Sequence, residues 1–295
     1  MKRFFFLLLW PDIVLACNGD CGSRWALLDP KGPIATQEKG LIITAFALML
    51  LVVIPVIFMT IAFAWKFRAS NKEAQYTPKW DNSFTIETVV WLVPTVIVAI
   101  LAMIVWKSSH ELSPYRPIAS SQAPLQVEVV SMNWKWLFIY PDKGVATVNQ
   151  LVIPAGVPVS FSITSDTVMS SFFIPQLGGQ IYAMAGMQTR LQLVADQPGS
   201  YQGLNTQFSG DGFPGMHFET VVTTPPDFEG WVRQVKRSRD ALGTEAFAQL
   251  EAPSANVPPK YFSSVAPQLF EHVLQKYQPH AEARGKPAQD MGRMM

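Results

Sequence analysis

Two stretches without a single charged side chain, residues 40–65 and 88–106, decide what this chain can become. At about 1.5 Å per helical residue, the first more than crosses a hydrocarbon core of about 30 Å, and the second is just long enough. Lipid offers no hydrogen bonds, so a spanning segment must satisfy its own backbone, which selects helices here. Pro55 and Pro94 interrupt the stretches. In a membrane such prolines are tolerated where neighbouring helices or polar groups satisfy the freed carbonyls. Trp65 and Trp106 close the two spans, where aromatic belts meet the interface.

Residues 66–87, between the spans, carry Lys66, Arg68, Lys72 and Lys79, whereas 107–124 carry only Lys107 and Arg116. The segment from Cys17 holds Arg24, Lys31 and Lys39. Positive-inside bias therefore puts the 66–87 loop in the cytoplasm and both outer ends outside. The start of the chain agrees. Met1-Lys2-Arg3 is a short basic start, Phe4 to Leu9 is apolar, and Val14-Leu15-Ala16-Cys17 follows. That is the pattern of an export signal, and a Cys directly after Ala16 suggests a lipoprotein type in which Cys17 is lipidated. An unmodified Cys17 in the membrane, or a disulfide between Cys17 and Cys21, are the competing readings. The net charge of +1 argues against a nucleic-acid partner.

Beyond residue 120 the hydrophobic period changes from helical to two. Leu125, Val127 and Val129 alternate with Gln126 and Glu128; Val157, Val159, Phe161 and Ile163 alternate with Pro158, Ser160 and Ser162. Leu191 and Leu193 flank Gln192, and Met216, Phe218 and 220–222 make another short strand. Short strands between Pro/Gly turns predict a sandwich or Greek-key barrel. The aromatic run 133–140 is expected to fill it with large rings. After Pro225-Pro226 the helical period returns, with helices expected around 228–235, 245–251 and 266–277. Such helices cap a sandwich or dock a partner. The tail from Gln278 is polar and expected to be disordered. The four histidines, His110, His217, His272 and His280, do not pair at ligand spacing.

Two segments carry a specific resemblance. Residues 166–175, Asp-Thr-Val-Met-Ser-Ser-Phe-Phe-Ile-Pro, resemble the first copper loop of subunit II of the haem-copper respiratory oxidases, which ends His-Ser-Phe-x-x-Pro. Ser170 stands at the His position. Residues 201–216 resemble the second loop, Cys-x-x-x-Cys-x-x-x-His-x-x-Met. The two Cys positions are Asn205 and Ser209, the second His position is Phe213, and the Glu that ligates through its carbonyl falls on Gln207; only Met216 is retained. A mixed-valence copper pair needs soft thiolate and imidazole donors. Cys17 and Cys21 are the only cysteines, far from this region. Within the family such a loss resembles the branch that takes electrons from quinol, the cytochrome bo-type ubiquinol oxidases. The similarity runs from about residue 26 to 277.

The resemblance implies a membrane-anchored all-β protein. A signal peptide (1–16) and a periplasmic N-terminal segment (17–39) would precede a transmembrane hairpin (40–110). A cupredoxin-like Greek-key sandwich (120–224), a helical docking segment (225–280) and a tail (281–295) would follow. It implies a non-redox subunit of a proton-pumping enzyme that oxidises ubiquinol and reduces oxygen to water. No cofactor is expected in this chain; haems and one copper are expected in subunit I. Subunit I, further small membrane subunits and the lipid bilayer are the implied partners, and cytochrome c is not. The bacterial inner membrane is the implied location. The phenylalanines Phe172, Phe173 and Phe213 are expected to fill the vacated metal cavity. Glu87 has two compatible readings. A carboxylate in the first helical turn, with Ser83 or Asn82 as cap, complements the helix dipole. By resemblance it lies at the cytoplasmic mouth of a proton path into subunit I. A rival from a different class is a membrane-tethered, metal-free binding module outside any oxidase.

Overall fold

The two uncharged stretches lie inside longer helices. The computed structural model describes residues 26–73, 81–120 and 122–284. Cys17, Cys21, Lys79, the signal segment and residues 285–295 lie outside the described residues. α1 (Pro33–Lys66) and α2 (Phe84–Glu111) run unbroken through Pro55 and Pro94. Their side chains bury almost nothing within this chain: Ala35 is the buried residue of α1 and Ile97 that of α2. Phe58, Trp65, Trp91 and Trp106 all stand exposed, a surface that water would not tolerate but lipid or another apolar helix would. At the start of α2, Ser83 occupies the N-cap position, yet its side chain makes no capping bond; only its carbonyl is used, by the Glu87 N–H at 2.9 Å. The expected side-chain cap is therefore not formed, and dipole complementarity is left as the local role of Glu87.

The first turn of α1 is fixed to the globular part. Lys31 donates its N–H to the Gln176 carbonyl at 2.7 Å and accepts from the Asp196 N–H at 2.8 Å. Ile34 packs against the main core. The outer end of α2 leads through 112–124 into the first strand. Both outer ends of the hairpin thus belong to the side that carries the sandwich, and the basic loop lies at the far end.

The sandwich follows the alternation read from the sequence. Its strands are β1 (Leu125–Met132), β2 (Lys135–Tyr140), β3 (Val145–Val148), β4 (Gln150–Pro154), β5 (Val159–Ser165) and β6 (Ser170–Phe173). The rest are β7 (Ile181–Ala183), β8 (Thr189–Leu193), β9 (Gly199–Asn205), β10 (His217–Thr223) and β11 (Lys260–Phe262). One sheet has the order β11-β3-β2-β1-β5-β8 and the other β4-β10-β9-β6-β7. The chain changes sheet between β3 and β4 at Asn149, whose φ of 57° lies in the left-handed region that Asn tolerates. Its side-chain oxygen accepts from the Trp136 N–H at 2.8 Å, which pins the corner. Between the sheets Phe172 stacks on Phe218 at 5.2 Å, with Trp136 and Phe138 meeting them edge-on or tilted. The expectation that the 133–140 rings fill the sandwich holds for Trp136, Phe138 and Tyr140, all buried.

The C-terminal segment does more than dock. β2 is buried at every residue, so it is covered on both faces. Trp136, Phe138 and Tyr140 face the second sheet, while Leu137 and Ile139 face outward into a second core with Phe247, Leu250, Phe270, Val273 and Leu274. Those side chains come from α4 (Thr244–Glu251) and α5 (Leu269–Arg284), which follow α3 (Pro225–Val235). The amphipathic helices therefore spend their apolar faces on this chain's own sheet. β11, from the same segment, extends that sheet by pairing with β3, so the sandwich does not end near 224. Helix α5 also runs past the expected 277. Beneath α4 the Lys135 ammonium is buried and donates to the Leu250 and Ala252 carbonyls, both at 2.7 Å. A cation there satisfies carbonyls that a helix end leaves free and complements the dipole. Burial, and then Lys260 nearby, push the Lys135 amine down from its ordinary value.

α5 is tied down by Lys276, which donates to Asp166 and Glu251, each at 2.8 Å. Burial works against the Lys276 charge, but these two hydrogen bonds outweigh it and hold its amine well above the usual lysine range. Burial pushes the Asp166 carboxyl up, and Lys276 opposes that push. A raised lysine contributes stability that is complete below its ordinary value of 10.5 and is lost as pH climbs through the raised one. Amide hydrogen exchange over 269–277 should therefore stay slow through neutral pH in the wild type. In Lys276→Gln the same amides should exchange faster already at neutral pH. Unchanged protection in the variant would show that the apolar contacts alone hold the helix.

Candidate functional site

The site of interest lies where β6, β9 and the start of β10 converge. Two antiparallel ladders bring residues distant in sequence together: Phe172 sits opposite Asn205, and Leu204 opposite His217. A single turn of 3₁₀ helix, Phe213–Gly215, returns the chain so that the Asn205 N–H reaches the Met216 carbonyl at 3.2 Å. The side chains of Asn205, Ser209 and Met216 are thereby gathered into one cluster.

Asn205 is the centre of it. Its amide nitrogen donates to Met216 Sδ at 3.1 Å and to Ser209 Oγ at 3.2 Å. Its oxygen accepts from the Ser171 N–H at 2.9 Å and the Gln207 N–H at 3.1 Å. Ser209 Oγ lies 3.8 Å from the same sulfur. Both ends of the Asn205 amide are thus satisfied in a buried place, where an unpaired polar group is costly. Ser170 is buried at the head of β6, with its hydroxyl 3.5 Å from the Val168 carbonyl.

The aromatic positions do not follow the expectation. Phe172 is a core residue, but Phe173 and Phe213 are only partly buried. Phe213 leans outward on Phe208, ring centres 5.7 Å apart, and Phe208 itself is 71% exposed. The centre is filled by a hydrogen-bonded amide rather than by phenyl rings. The reason is local: Asn205 satisfies two backbone N–H groups of neighbouring loops that an apolar filler would leave orphaned.

Trp134 was not distinguished from its aromatic neighbours by sequence. Its φ is 59°, and its indole N–H donates to the Ser209 carbonyl at 2.9 Å. The ring lies over the loop so closely that a Cβ at Gly212 would stand 2.2 Å from it. Gly210, at φ 104°, supplies the left-handed turn beside it. The cluster of glycines in 210–215 was the only sequence signal for this buttress. The expected site residue Glu87 lies far away, exposed in the first turn of α2, and Cys17 is outside the described residues.

The donors gathered here are a thioether, a primary amide and a hydroxyl. A paired copper centre requires bridging thiolates and imidazoles, so this set does not fit one. The histidine next in sequence, His217, points to solvent. Among the described residues no group of three or more His, Cys, Asp or Glu side chains comes together.

Comparison with known proteins places this geometry. The family model described as "Cytochrome C oxidase subunit II, periplasmic domain" matches residues 141–218. That described as "COX Aromatic Rich Motif" matches 236–281, the segment that covers the outer sheet face. The "Cytochrome bo(3) ubiquinol oxidase subunit 2" of Pseudomonas aeruginosa is 54% identical over 280 residues, covering 95% of this chain and 83% of that one. The chain belongs to the ubiquinol oxidase subunit II family. Its similarity to the protein of the same description from Pseudomonas putida is 49% over 91% of this chain and 85% of that one. The "Ubiquinol oxidase subunit 2" of Acetobacter aceti is likewise 49% identical, over 87% of this chain and 84% of that one. The sandwich is accordingly the cupredoxin-like domain of this family, preceded by its two membrane helices. As a family member the chain is one subunit of an oxidoreductase complex with further subunits, in the inner membrane.

The Asn205 knot makes a simple prediction. Asn205→Leu keeps the volume but orphans two backbone N–H groups, so it should destabilise the domain by about 1–3 kcal/mol. Thermal unfolding of the purified chain in detergent measures it. A melting temperature equal to wild type would mean that water replaces the amide without loss.

Proposed function

We propose that this chain is the non-redox subunit II of a proton-pumping terminal ubiquinol oxidase. The complex oxidises ubiquinol, reduces oxygen to water and moves protons outward. Electrons pass from quinol to haems and copper in subunit I without entering this polypeptide. The observation that carries the reading is the donor set at the former copper loops: Asn205 and Ser209 stand where bridging thiolates would, and the thioether of Met216 is bonded to an amide. Such a set has no accessible redox change at physiological potentials, and its groups are spent on one another.

The work left to the chain is mechanical and electrostatic. α1 and α2 present apolar surface that is not used internally, which favours docking on subunit I and further small membrane subunits as well as lipid. The sandwich, fixed to the start of α1, would then cover the outer face of subunit I. The excess of basic residues in the loop at the far end of the hairpin supports a periplasmic sandwich and a cytoplasmic loop. In that topology Glu87 sits at the cytoplasmic membrane edge as an exposed carboxylate, suited to collecting protons for subunit I. Cys17, after the export signal, would carry a lipid as a second anchor. The rival is a membrane-tethered binding module whose helices meet lipid alone; isolation of the chain without haem-bearing partners would favour it.

The purified complex should oxidise ubiquinol and leave reduced cytochrome c untouched, with no near-infrared band of paired copper from this subunit. Rapid cytochrome c oxidation or such a band would refute the reading. For Glu87→Ala, normal haem content with clearly lowered turnover is the expected result. Unchanged turnover would leave Glu87 only its place at the helix terminus.

A further inference from the structure

The outer ends of the two membrane helices do not close on each other. A cleft of about 420 Å³ opens between the first turns of α1 and the last turns of α2. Two stripes at helical spacing line it: Gln37, Gly40 and Leu41 from α1, and Ile104, Lys107 and Glu111 from α2. A Cβ on Gly40 would meet nothing within 4 Å, so the helices do not interlock there. The cleft changes character along its length. Leu41 and Ile104 belong to the two uncharged stretches and are half-buried. Gln37 and Lys107 lie about one turn further out and Glu111 about two, and all three are exposed. The step from apolar to charged therefore falls inside one cleft, at the level where Trp106 marks the membrane interface. Lys107 Nζ and Glu111 Oε1 stand 3.9 Å apart, a loose exposed pair that contributes little by itself and leaves both charges open to a third group.

We propose that this cleft is a headgroup site for one outer-leaflet phospholipid with a primary-amine head, phosphatidylethanolamine. The Lys107 ammonium meets the lipid phosphate, and the Glu111 carboxylate and Gln37 side-chain carbonyl accept from the head's ammonium. The acyl chains run down past Leu41 and Ile104, along helix faces that are already apolar and exposed. Charge and hydrogen bonding select the head. A rim of one cation and one anion matches a zwitterion, whereas an anionic head would bring a second negative charge beside Glu111. A trimethylammonium head has no N–H to give to that carboxylate. A helix of another subunit is a poorer occupant, because it would bury two charges that have only a loose contact with each other. The proposal rests on the hairpin spanning the membrane and not on the route that electrons take.

The test uses the assembled complex in nanodiscs that hold equal parts of phosphatidylethanolamine, phosphatidylcholine and phosphatidylglycerol. Lipids that remain on the complex after mild extraction are counted by native mass spectrometry. The wild type should keep one phosphatidylethanolamine that Gly40→Leu, whose side chain fills the cleft, loses, with affinity lowered by about tenfold or more. Glu111→Lys should turn the preference from phosphatidylethanolamine to phosphatidylglycerol. A cation suits that end of α2, so this second variant keeps its helix and decides the matter even if Gly40→Leu fails to assemble. Ubiquinol turnover, followed beside the lipid count, reports separately on the oxidase reading. No loss in Gly40→Leu, no change of preference in Glu111→Lys, or equal retention of phosphatidylcholine by the wild type would each overturn the proposal. So would cross-linking of a photoreactive residue placed at Gln37 to another subunit instead of to lipid.

Discussion

A sheet with two apolar faces and a single partner sheet cannot exist in water, and much of this domain's architecture answers that constraint. β2 contributes rings to the space between the sheets and aliphatic side chains to the opposite face. The outer face is closed by α4 and α5 of the same chain. Burying that face is worth about 25 cal/mol for each Å² of apolar surface, so the cover is part of the fold rather than an accessory. The cover brings polar necessities with it. A buried Lys135 satisfies the carbonyls at the end of α4, and Lys276 joins α5 to Asp166, at the start of the loop that leads into β6. The outer cover and the loops are therefore one connected structure.

That connection explains how the loops around β6, β9 and the β10 approach are held together by the chain's own side chains. A metal ion would cross-link β6, β9 and the β10 approach by coordination. Here one amide performs the cross-linking with four hydrogen bonds, to a sulfur, a hydroxyl and two backbone N–H groups. The Trp134 indole holds the loop from outside, and the Asp166 anchor holds it from the other end. Individually each bond contributes about 1 kcal/mol, yet leaving any of them unmade in a buried place would cost more. The geometry holds because the polar groups of this cluster are hydrogen-bonded to one another.

The membrane hairpin stands in contrast. α1 and α2 make few contacts within the chain, and their stability in lipid rests on backbone bonds and on whatever packs beside them. Fixing the first turn of α1 to the sandwich, through Lys31 and Ile34, sets where the domain sits relative to the hairpin. The proposed cover over subunit I and the proposed proton collector at Glu87 would then be held at opposite ends of a rigid span.

Sequence by itself determined the membrane spans, the inward and outward alternation of several strands and the absence of thiolates near the loops. Each of these is local: a run without charge, a period of two, a residue type present or missing at a position. Tertiary structure alone decided the rest. That Asn205 rather than Phe213 occupies the centre and that the C-terminal helices turn inward onto their own sheet both depend on contacts between distant segments. Periodicity gives a helix its apolar face but does not say what the face will meet. A side chain's place in a cavity is settled by which neighbouring donors would otherwise be left unpaired, and those neighbours are assembled only when the chain folds.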